Sequence, residues 1–462
     1  MCLTRRPEHY NRTTQDEFPD TGTALMTPIG RLLRIQGATV VAAVMLIASG
    51  WTGLNALQVY QWTLPNQYFV PPVSFSADGR YLALGISMGP AYDPCPLPTC
   101  EGRLHVFDLR SGTRVVASTA AHARVMSLAF LHHSPQVAAG YADGKVRVWD
   151  LRTSQVAAEY SCCNGKWIRA LAAAPNDSVL AIGAQSGQIM LWNVASDLGG
   201  DRTERGSARS LPGHVYGVSS LVFDRSSTYL ISTADDQHVR RWHVGNANTY
   251  EFSRAPDKAK AHRGMVKSVT LLNGDRWAVT GAYWEGGTYK DYASSSPPDH
   301  ILRLWDVDTG RPIRSYPLEF GVRCCLRPLP DGHRVAFLRA TGWSEDPVLE
   351  IFDFDRGQSE RTVRPSMGES FHSMGAHPDG NQFVIAIGDG NFLIWNRGVG
   401  RVVAQLVSVD DGWAVLTPDG RMEFSDGFSR WPCRNNVQRA CRGGAPANST
   451  PGLLGRVWAP LQ

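Results

Sequence analysis

The chain has 462 residues, too many for one ordinary compact core, which points to a repeat architecture or to two or three domains. Apolar residues make up 43% and charged residues 19%, a balance that excludes a disordered chain. A net charge of +4 with no dense Lys/Arg run argues against nucleic acid as a partner, because that needs a basic stripe.

The first element is an uncharged run of eighteen residues, "GATVVAAVMLIASGWTGL" (Gly37–Leu54), preceded by Arg31 and Arg34 and followed by no cation until Arg80. A charged region, an apolar stretch and then small residues (Ala48-Ser49-Gly50) form an export-signal pattern, and the segment from Met26 has the proportions of a whole signal peptide. An uncleaved run of this length also just spans a bilayer, with the flanking arginines keeping the N-terminus inside. Residues 1–54 are therefore expected to be a signal peptide or a membrane anchor with an N-terminal extension. The bulk of the chain is then periplasmic or otherwise extracytoplasmic, touching the membrane only through that segment. The rival reading is a buried core segment of a cytosolic protein, against which the one-sided arginine flank argues. Nine cysteines fit an oxidising compartment: eight of them fall in close pairs, the ninth being Cys2.

From residue 66 onward one pattern recurs. Short alternating runs end in an aromatic–polar pair at Phe107-Asp108, Trp149-Asp150, Trp192-Asn193, Trp242-His243, Trp305-Asp306, Phe352-Asp353 and Trp395-Asn396, spaced 42, 43, 50, 63, 47 and 43 residues apart. The period-two alternation predicts strands. Upstream of each, stretches such as "FSADGRYLALG" and "AHPDGNQFVIAIG" pair a Gly, Asp, Asn or Pro turn with an apolar strand. A Gly-His or Ala-His leads into a strand at Ala121-His122, Gly213-His214 and Ala261-His262.

These units resemble the WD40 repeat family, most closely in "AHARVMSLAFLHHSPQVAAGYADGKVRVWDL", and the likeness covers roughly residues 66 to 408. It implies an all-β fold: a seven-bladed β-propeller of four-stranded blades over residues 55–408. One blade alone cannot hide its apolar faces, so the ring is the stable unit. The resemblance also implies, inside a blade, a network of a buried His, a strand hydroxyl, a turn Asp and the Trp. That network is most complete in the fourth repeat as His214, Ser232, Asp236 and Trp242, and recurs in the fifth as His262, Thr280, Asp299 and Trp305. The second repeat has His122, Asp143 and Trp149 but Ala139 in place of the hydroxyl. The third has Ser186 where the acid belongs, and the first has no network. A converging His, Asp and Ser normally suggests a catalytic triad, but copies of one constellation read as scaffold.

Function is expected in the loops. Most connections between second and third strands are short, but "GISMGPAYDPCPLPTCEGR" (Gly85–Arg103) and "GAYWEGGTYKDYASSSPPDH" (Gly281–His300) are long, and "ATGWSEDP" (Ala340–Pro347) is a smaller insertion. All three project from one face, where binding tends to reside. Tyr92, Tyr283, Trp284, Tyr289, Tyr292 and Trp343 are residue types enriched at protein interfaces, so a protein partner is expected there. The alternative is that they only pin the loops to the scaffold.

Cys95 with Cys100, and Cys433 with Cys441, are each close enough for a local disulfide; no second ligand set completes a zinc site. For the adjacent pairs Cys162-Cys163 and Cys324-Cys325 no pairing is assigned. Neighbours in a strand point to opposite faces, and buried free thiols are the default for the second pair. Residues 409–462 read as a C-terminal hairpin ("GWAVLTPDGRMEFSDGFSRW", Gly412–Trp431) and a cysteine-containing tail. The hairpin resembles a tail segment of bacterial proteins that join WD40 repeats to caspase-like peptidases, though about fifty residues hold no peptidase domain. Either "LNALQVYQWTL" (Leu54–Leu64) or "GRVVAQLV" (Gly400–Val407) supplies the outer strand of the last blade.

The resulting expectation is a non-enzymatic, exported, bacterial-type propeller that acts as a protein-binding scaffold, with no catalytic residue, cofactor or metal. The alternative is a propeller enzyme, of hydrolase, lactonase or quinoprotein type, working at the channel mouth. Such an enzyme needs converging ligands or acid–base pairs. His372 and His377 are a poor ligand pair, and no phosphate loop, nucleophile elbow or His-Glu-x-x-His motif occurs. A purely structural envelope protein is a third reading.

Overall fold

The computed structural model describes residues 71–88, 101–118, 121, 123–199, 207–253, 260–283, 300–340, 347–364, 371–388, 390–409, 412–425 and 450–458. The hydrophobic run at 37–54 and the strand candidate at 54–64 lie outside them. No described helix is long and apolar enough to cross a membrane.

Seven antiparallel sheets follow one another along the chain, each a meander whose spatial order is its sequence order. The first is Val73–Phe75, Tyr81–Met88, Glu101–Asp108 and Thr113–Ala117. The second is Val125–Phe130, Gln136–Tyr141, Lys145–Asp150 and Gln155–Ser161, and the third Ile168–Ala173, Leu180–Ala184, Ile189–Trp192 and Ala208–Leu211. In the third, a short helix α1 (Val194–Leu198) precedes the outer strand. The fourth is Val218–Phe223, Tyr229–Ala234, Val239–His243 and Thr249–Glu251, and the fifth Met265–Leu272, Trp277–Tyr283, Ile301–Asp306 and Pro312–Pro317. The sixth is Val322–Pro328, Arg334–Arg339, Val348–Asp353 and Gln358–Val363. The seventh sheet begins Ser373–Ala376, Gln382–Gly388, Asn391–Asn396 and Arg401–Val409.

The first strands form the inner ring: each packs on the next, and that of the seventh blade packs on that of the first. This is a seven-bladed propeller. Burial follows from the geometry. Third strands such as Val348–Asp353 and Asn391–Asn396 are buried at every position, because a neighbouring sheet covers each face. Outer strands such as Gln358–Val363 are almost wholly exposed and polar. At the Asp143-Gly144 turn of the second blade, Gly144 has φ +80°, and a Cβ there would meet the backbone of Gly165 at 2.6 Å.

Among the described residues no strand crosses from one chain end into the blade built by the other. "GRVVAQLV" fills the outer slot of the seventh blade as part of Arg401–Val409, and the expected C-terminal hairpin does not stand apart. Its strands, Gly412–Leu416 and Met422–Phe424, extend the seventh sheet to six strands. Trp413 is buried edge-on to Phe107 of the first blade, ring centroids 5.9 Å apart, and Arg114 donates to the Gly412 carbonyl at 3.2 Å. Helix α2 (Leu453–Trp458) drives Leu453 and Leu454 into the same core, which joins Leu84, Phe107 and Leu109 to Val384, Phe392 and Ile394. The Glu423 carboxylate accepts the amides of Gly452 (2.6 Å) and Leu454 (2.7 Å), tying hairpin to helix. Trp458 packs against Phe75 and His377, and His377 Nε2 donates to the Gly79 carbonyl at 3.2 Å.

The tail is thus a clasp across the seam between the last and first blades. Trp413→Ala should destabilise the protein by about 3–5 kcal/mol in urea unfolding, since it empties a buried aromatic site. Val399→Ala, on an exposed turn of the same blade, should stay within about 0.5 kcal/mol of the parent.

Candidate functional site

The fourth blade assembles a directional hydrogen-bond chain. Trp242 Nε1 donates to Ser232 Oγ (2.8 Å), Ser232 Oγ faces His214 Nε2 (2.8 Å), and His214 Nδ1 faces the Asp236 carboxylate (2.9 Å). The indole only donates and the carboxylate only accepts, and His214 Nδ1 also stands 2.7 Å from Arg240 Nη1. The amides of Val215 and His238 also donate to Asp236, and Arg240 stands 3.3 Å from it. Local sequence explains the placement. Gly213 has φ +153°, and a Cβ on it would strike the Trp242 ring at 2.8 Å, so a Gly precedes the histidine.

The fifth blade repeats the core of this chain: Trp305 Nε1 donates to Thr280 Oγ1 (2.8 Å), which faces His262 Nε2 (2.7 Å). Its expected acid, Asp299, lies outside the described residues, as does His122 of the second blade. In the second blade, Ala139 pairs with Arg147 as Ser232 pairs with Arg240 and Thr280 with Arg303. Position 139 therefore offers Trp149 no strand hydroxyl. Asp143 lies at the surface, accepting the Lys145 amide (3.0 Å) and facing Arg147 at 3.8 Å. The third blade uses a substitute that the sequence pattern did not reveal. Its Trp192 Nε1 donates to Asp197 Oδ2 at 2.8 Å, an acid carried by α1. In the first blade, His105 Nδ1 meets Ser408 Oγ of the seventh at 2.8 Å.

Electrostatics agree with a scaffold role. Burial alone would raise the Asp236 carboxyl, but His214 and the His238 amide bring it down to about 2. Burial lowers His214, a push that Asp236 opposes. Burial, helped by Arg114 and Arg103, lowers His105 to about 3. Both imidazoles are thus held neutral inside their blades.

On the face where second strands end, Asp235 lies between Arg169 (2.6 Å) of the third blade and Lys267 (3.2 Å) of the fifth. Burial raises its carboxyl and these cations more than offset that, leaving it low. The same face carries Val215, 71% exposed, and Tyr216, 38% exposed. Of the aromatics expected to meet a partner, Tyr283 is instead built into the scaffold. It closes the second strand of the fifth blade at 4% exposure, with the Arg323 guanidinium 5.7 Å from its ring centroid. Tyr92, Trp284, Tyr289, Tyr292 and Trp343 lie outside the described residues, as do Cys95, Cys100, Cys433 and Cys441.

The sequence assigns no pairing to the adjacent cysteines, and Cys162–Cys163 and Cys324–Cys325 are both disulfides, the second in place of the default free thiols. The distortion such a bond requires is present, since Cys163 and Cys325 have φ of +61° and +71°. Among the described residues, one set has metal-ligand spacing, His333, Asp353 and Asp355. Asp353 is already committed to a turn, accepting the amides of Asp355 and Arg356. Asp108 and Asp150 do the same in their blades. A recess of about 380 Å³ on the opposite face is lined by Val222, Leu271, Leu272, Pro328 and Pro330 among others, with Arg225 and Asp275 paired at 3.8 Å on its wall.

Ser232→Ala and Thr280→Ala should each cost about 1–3 kcal/mol in urea unfolding, because each strands a buried indole N–H and an imidazole nitrogen, and Thr280→Ser should recover most of the loss. Stability should also depend on acid. Below pH 6.5 the unfolded chain protonates residues 105 and 214 while the fold resists. The fold therefore loses stability as pH falls from about 6.5 toward about 3 and gains none from these groups above 6.5. His105→Gln should flatten that slope by up to about 1.4 kcal/mol per pH unit in unfolding titrations.

The "WD domain, G-beta repeat" model matches residues 113–150 and 206–243. The guanine nucleotide-binding protein subunit beta of Nicotiana plumbaginifolia is 24% identical over 298 residues, 62% of this chain and 72% of its own. The pre-mRNA-splicing factor cwf17 of Schizosaccharomyces pombe is 26% identical over 184 residues, 40% of this chain and 46% of its own. A chain in a crystal structure of the mitotic checkpoint complex superposes with a TM-score of 0.55 at 18% identity, covering 71% of this chain and 91% of that one, a likeness of fold alone. The chain is a seven-bladed β-propeller that carries WD40 repeats.

Proposed function

We propose that this propeller is a non-enzymatic protein-binding scaffold that acts outside the cytoplasmic membrane, exported or anchored by residues 1–54. The observation that carries the binding face is the asymmetry of the connections between second and third strands. Those of the second, third, fourth and seventh blades are residues 142–144, 185–188, 235–238 and 389–390, whereas those of the first, fifth and sixth are 89–100, 284–300 and 340–347. Antiparallel topology puts the strand ends that bound all of them on one face, together with exposed Val215 and Tyr216 and the Arg169–Asp235–Lys267 cluster. A rigid ring supporting long segments rich in Tyr and Trp on one side is an arrangement suited to gripping a protein surface. The location rests on the charged, apolar and small-residue order of residues 31–50 and on the paired cysteines.

The test is crosslinked capture from the envelope fraction with the full-length protein. Comparators are a variant whose residues 284–299 are replaced by a two-residue turn, and a Val156→Ser, Ile313→Ser control on the outer strands. Loss of the captured protein with the shortened segment alone is the expected result. An unchanged captured set, or capture confined to the cytosolic fraction, would refute the proposal.

A further inference from the structure

The vicinal disulfide Cys324–Cys325 has no part in the blade networks or the long-connection face, and its backbone setting sets it apart. Five blades share one irregularity at the start of the inner strand, at Val125/Ser127, at Gly183/Ala184 opposite Ile168, and at Val218/Ser220, Val266/Ser268 and Val322/Cys324. Four of them then run in register to the turn. The sixth blade breaks again between Cys324 and Arg327.

Residue numbering shows why. From the buried Val or Ile to the residue whose amide closes the next turn, the second, third and fourth blades have five intervening residues (126–130, 169–173 and 219–223). The sixth has six (323–328), ending at Leu329. The extra residue is taken up at the disulfide, where Cys325 sits in the left-handed region (φ +71°) that a side chain with a Cβ disfavours. The consequence reaches both neighbouring blades. The Leu326 amide leaves the ladder and donates to Ser268 Oγ of the fifth blade at 3.0 Å. On the other side, Cys324 Sγ lies 3.9 Å from the His372 carbonyl, and Cys325 Sγ 3.9 Å from Ser373 Oγ. Both cysteines are only partly buried, so a small thiol can reach the bond.

We propose that Cys324–Cys325 is a reversible thiol–disulfide exchange site whose partners are small dithiols and disulfides. A dithiol attacks one sulfur as thiolate and forms a mixed disulfide, and its second thiolate then displaces the protein sulfur. The protein S–S bond is broken and gains two electrons and two protons, while the reductant's two S–H groups become its S–S bond. Oxidised glutathione reverses the step, leaving two reduced glutathiones. Reduction releases residue 325 from its left-handed backbone, and with it the Leu326–Ser268 bond and the contacts at 372–373.

The test uses full-length protein purified without reductant. Peptide mapping after denaturation and alkylation should show residues 324 and 325 unlabelled, in a peptide about 2 Da lighter than the dithiol. Dithiothreitol added to the native protein should open the pair, phenylarsine oxide should then bridge it with one arsenic, and oxidised glutathione should close it again. Amide exchange in residues 322–329 and 371–376 should rise about tenfold on reduction, with residues 125–130 unchanged. The Cys324→Ser, Cys325→Ser double variant, its fold checked by circular dichroism, should bind no arsenic at this peptide and show no exchange response. Free alkylation of both residues before reduction and after glutathione treatment would overturn the proposal. So would opening only in denaturant, or exchange indifferent to the redox state.

Discussion

A sheet buried on both faces needs a neighbour on each side, and in a ring that need falls hardest where the two ends of the chain meet. Six of the seven junctions come for free, since consecutive blades follow each other along the chain. The seventh must be made by contacts. Here the tail makes it: Trp413 against Phe107, Leu453 and Leu454 between the two cores, and Trp458 beside Phe75 and His377. His105 and Ser408 add a buried polar link across the same junction. Among the described residues side-chain packing joins the two blades there, through a few large apolar residues.

Within blades the recurrent problem is an indole N–H that burial leaves needing an acceptor. The fourth blade solves it with a hydroxyl relayed through His214 to Asp236, and the fifth with Thr280 and His262. The third solves it with Asp197 from a helix that interrupts the repeat. Three different acceptors for one donor show that the constraint is satisfaction of the indole rather than any particular residue set. In the fourth-blade chain each polar group from the Trp242 indole to the Asp236 carboxylate is engaged by a neighbour, the arrangement of a structural link.

The blades also divide into regular and modified ones. The second, third, fourth and seventh keep short connections between second and third strands, while the first, fifth and sixth lengthen theirs. The sixth in addition carries an inserted residue in its inner strand, absorbed at Cys325. The long connections lie outside the ring's own packing, which is where a scaffold has room for function, whereas the sixth blade's extra residue lies in the inner ring and touches both neighbouring blades.

Much of this was legible in the amino-acid sequence. Alternation with a closing aromatic marks strands because only one register buries the apolar side, and seven such pairs, spaced 42 to 63 residues apart, imply seven sheets that must cover one another. The fourth-blade constellation could likewise be named from residue types and offsets, because it is local to one hairpin and its lead-in. What sequence could not supply depends on residues far apart in the chain or on backbone sign. Asp143 has the same offset to its Trp as Asp236 yet is exposed, because its burial depends on what packs over the turn. Tyr283 belongs to a long connection by number but is held in the core by Arg323 of the next blade. The bonding of adjacent cysteines turned on a positive φ that no side-chain pattern announces. Sequence determined the strands and their repetition, since those follow from local hydrophobic period; the seam, the substitute acceptor and the vicinal disulfides were decided by tertiary structure, since each depends on a partner or a backbone turn that only the closed ring brings into place.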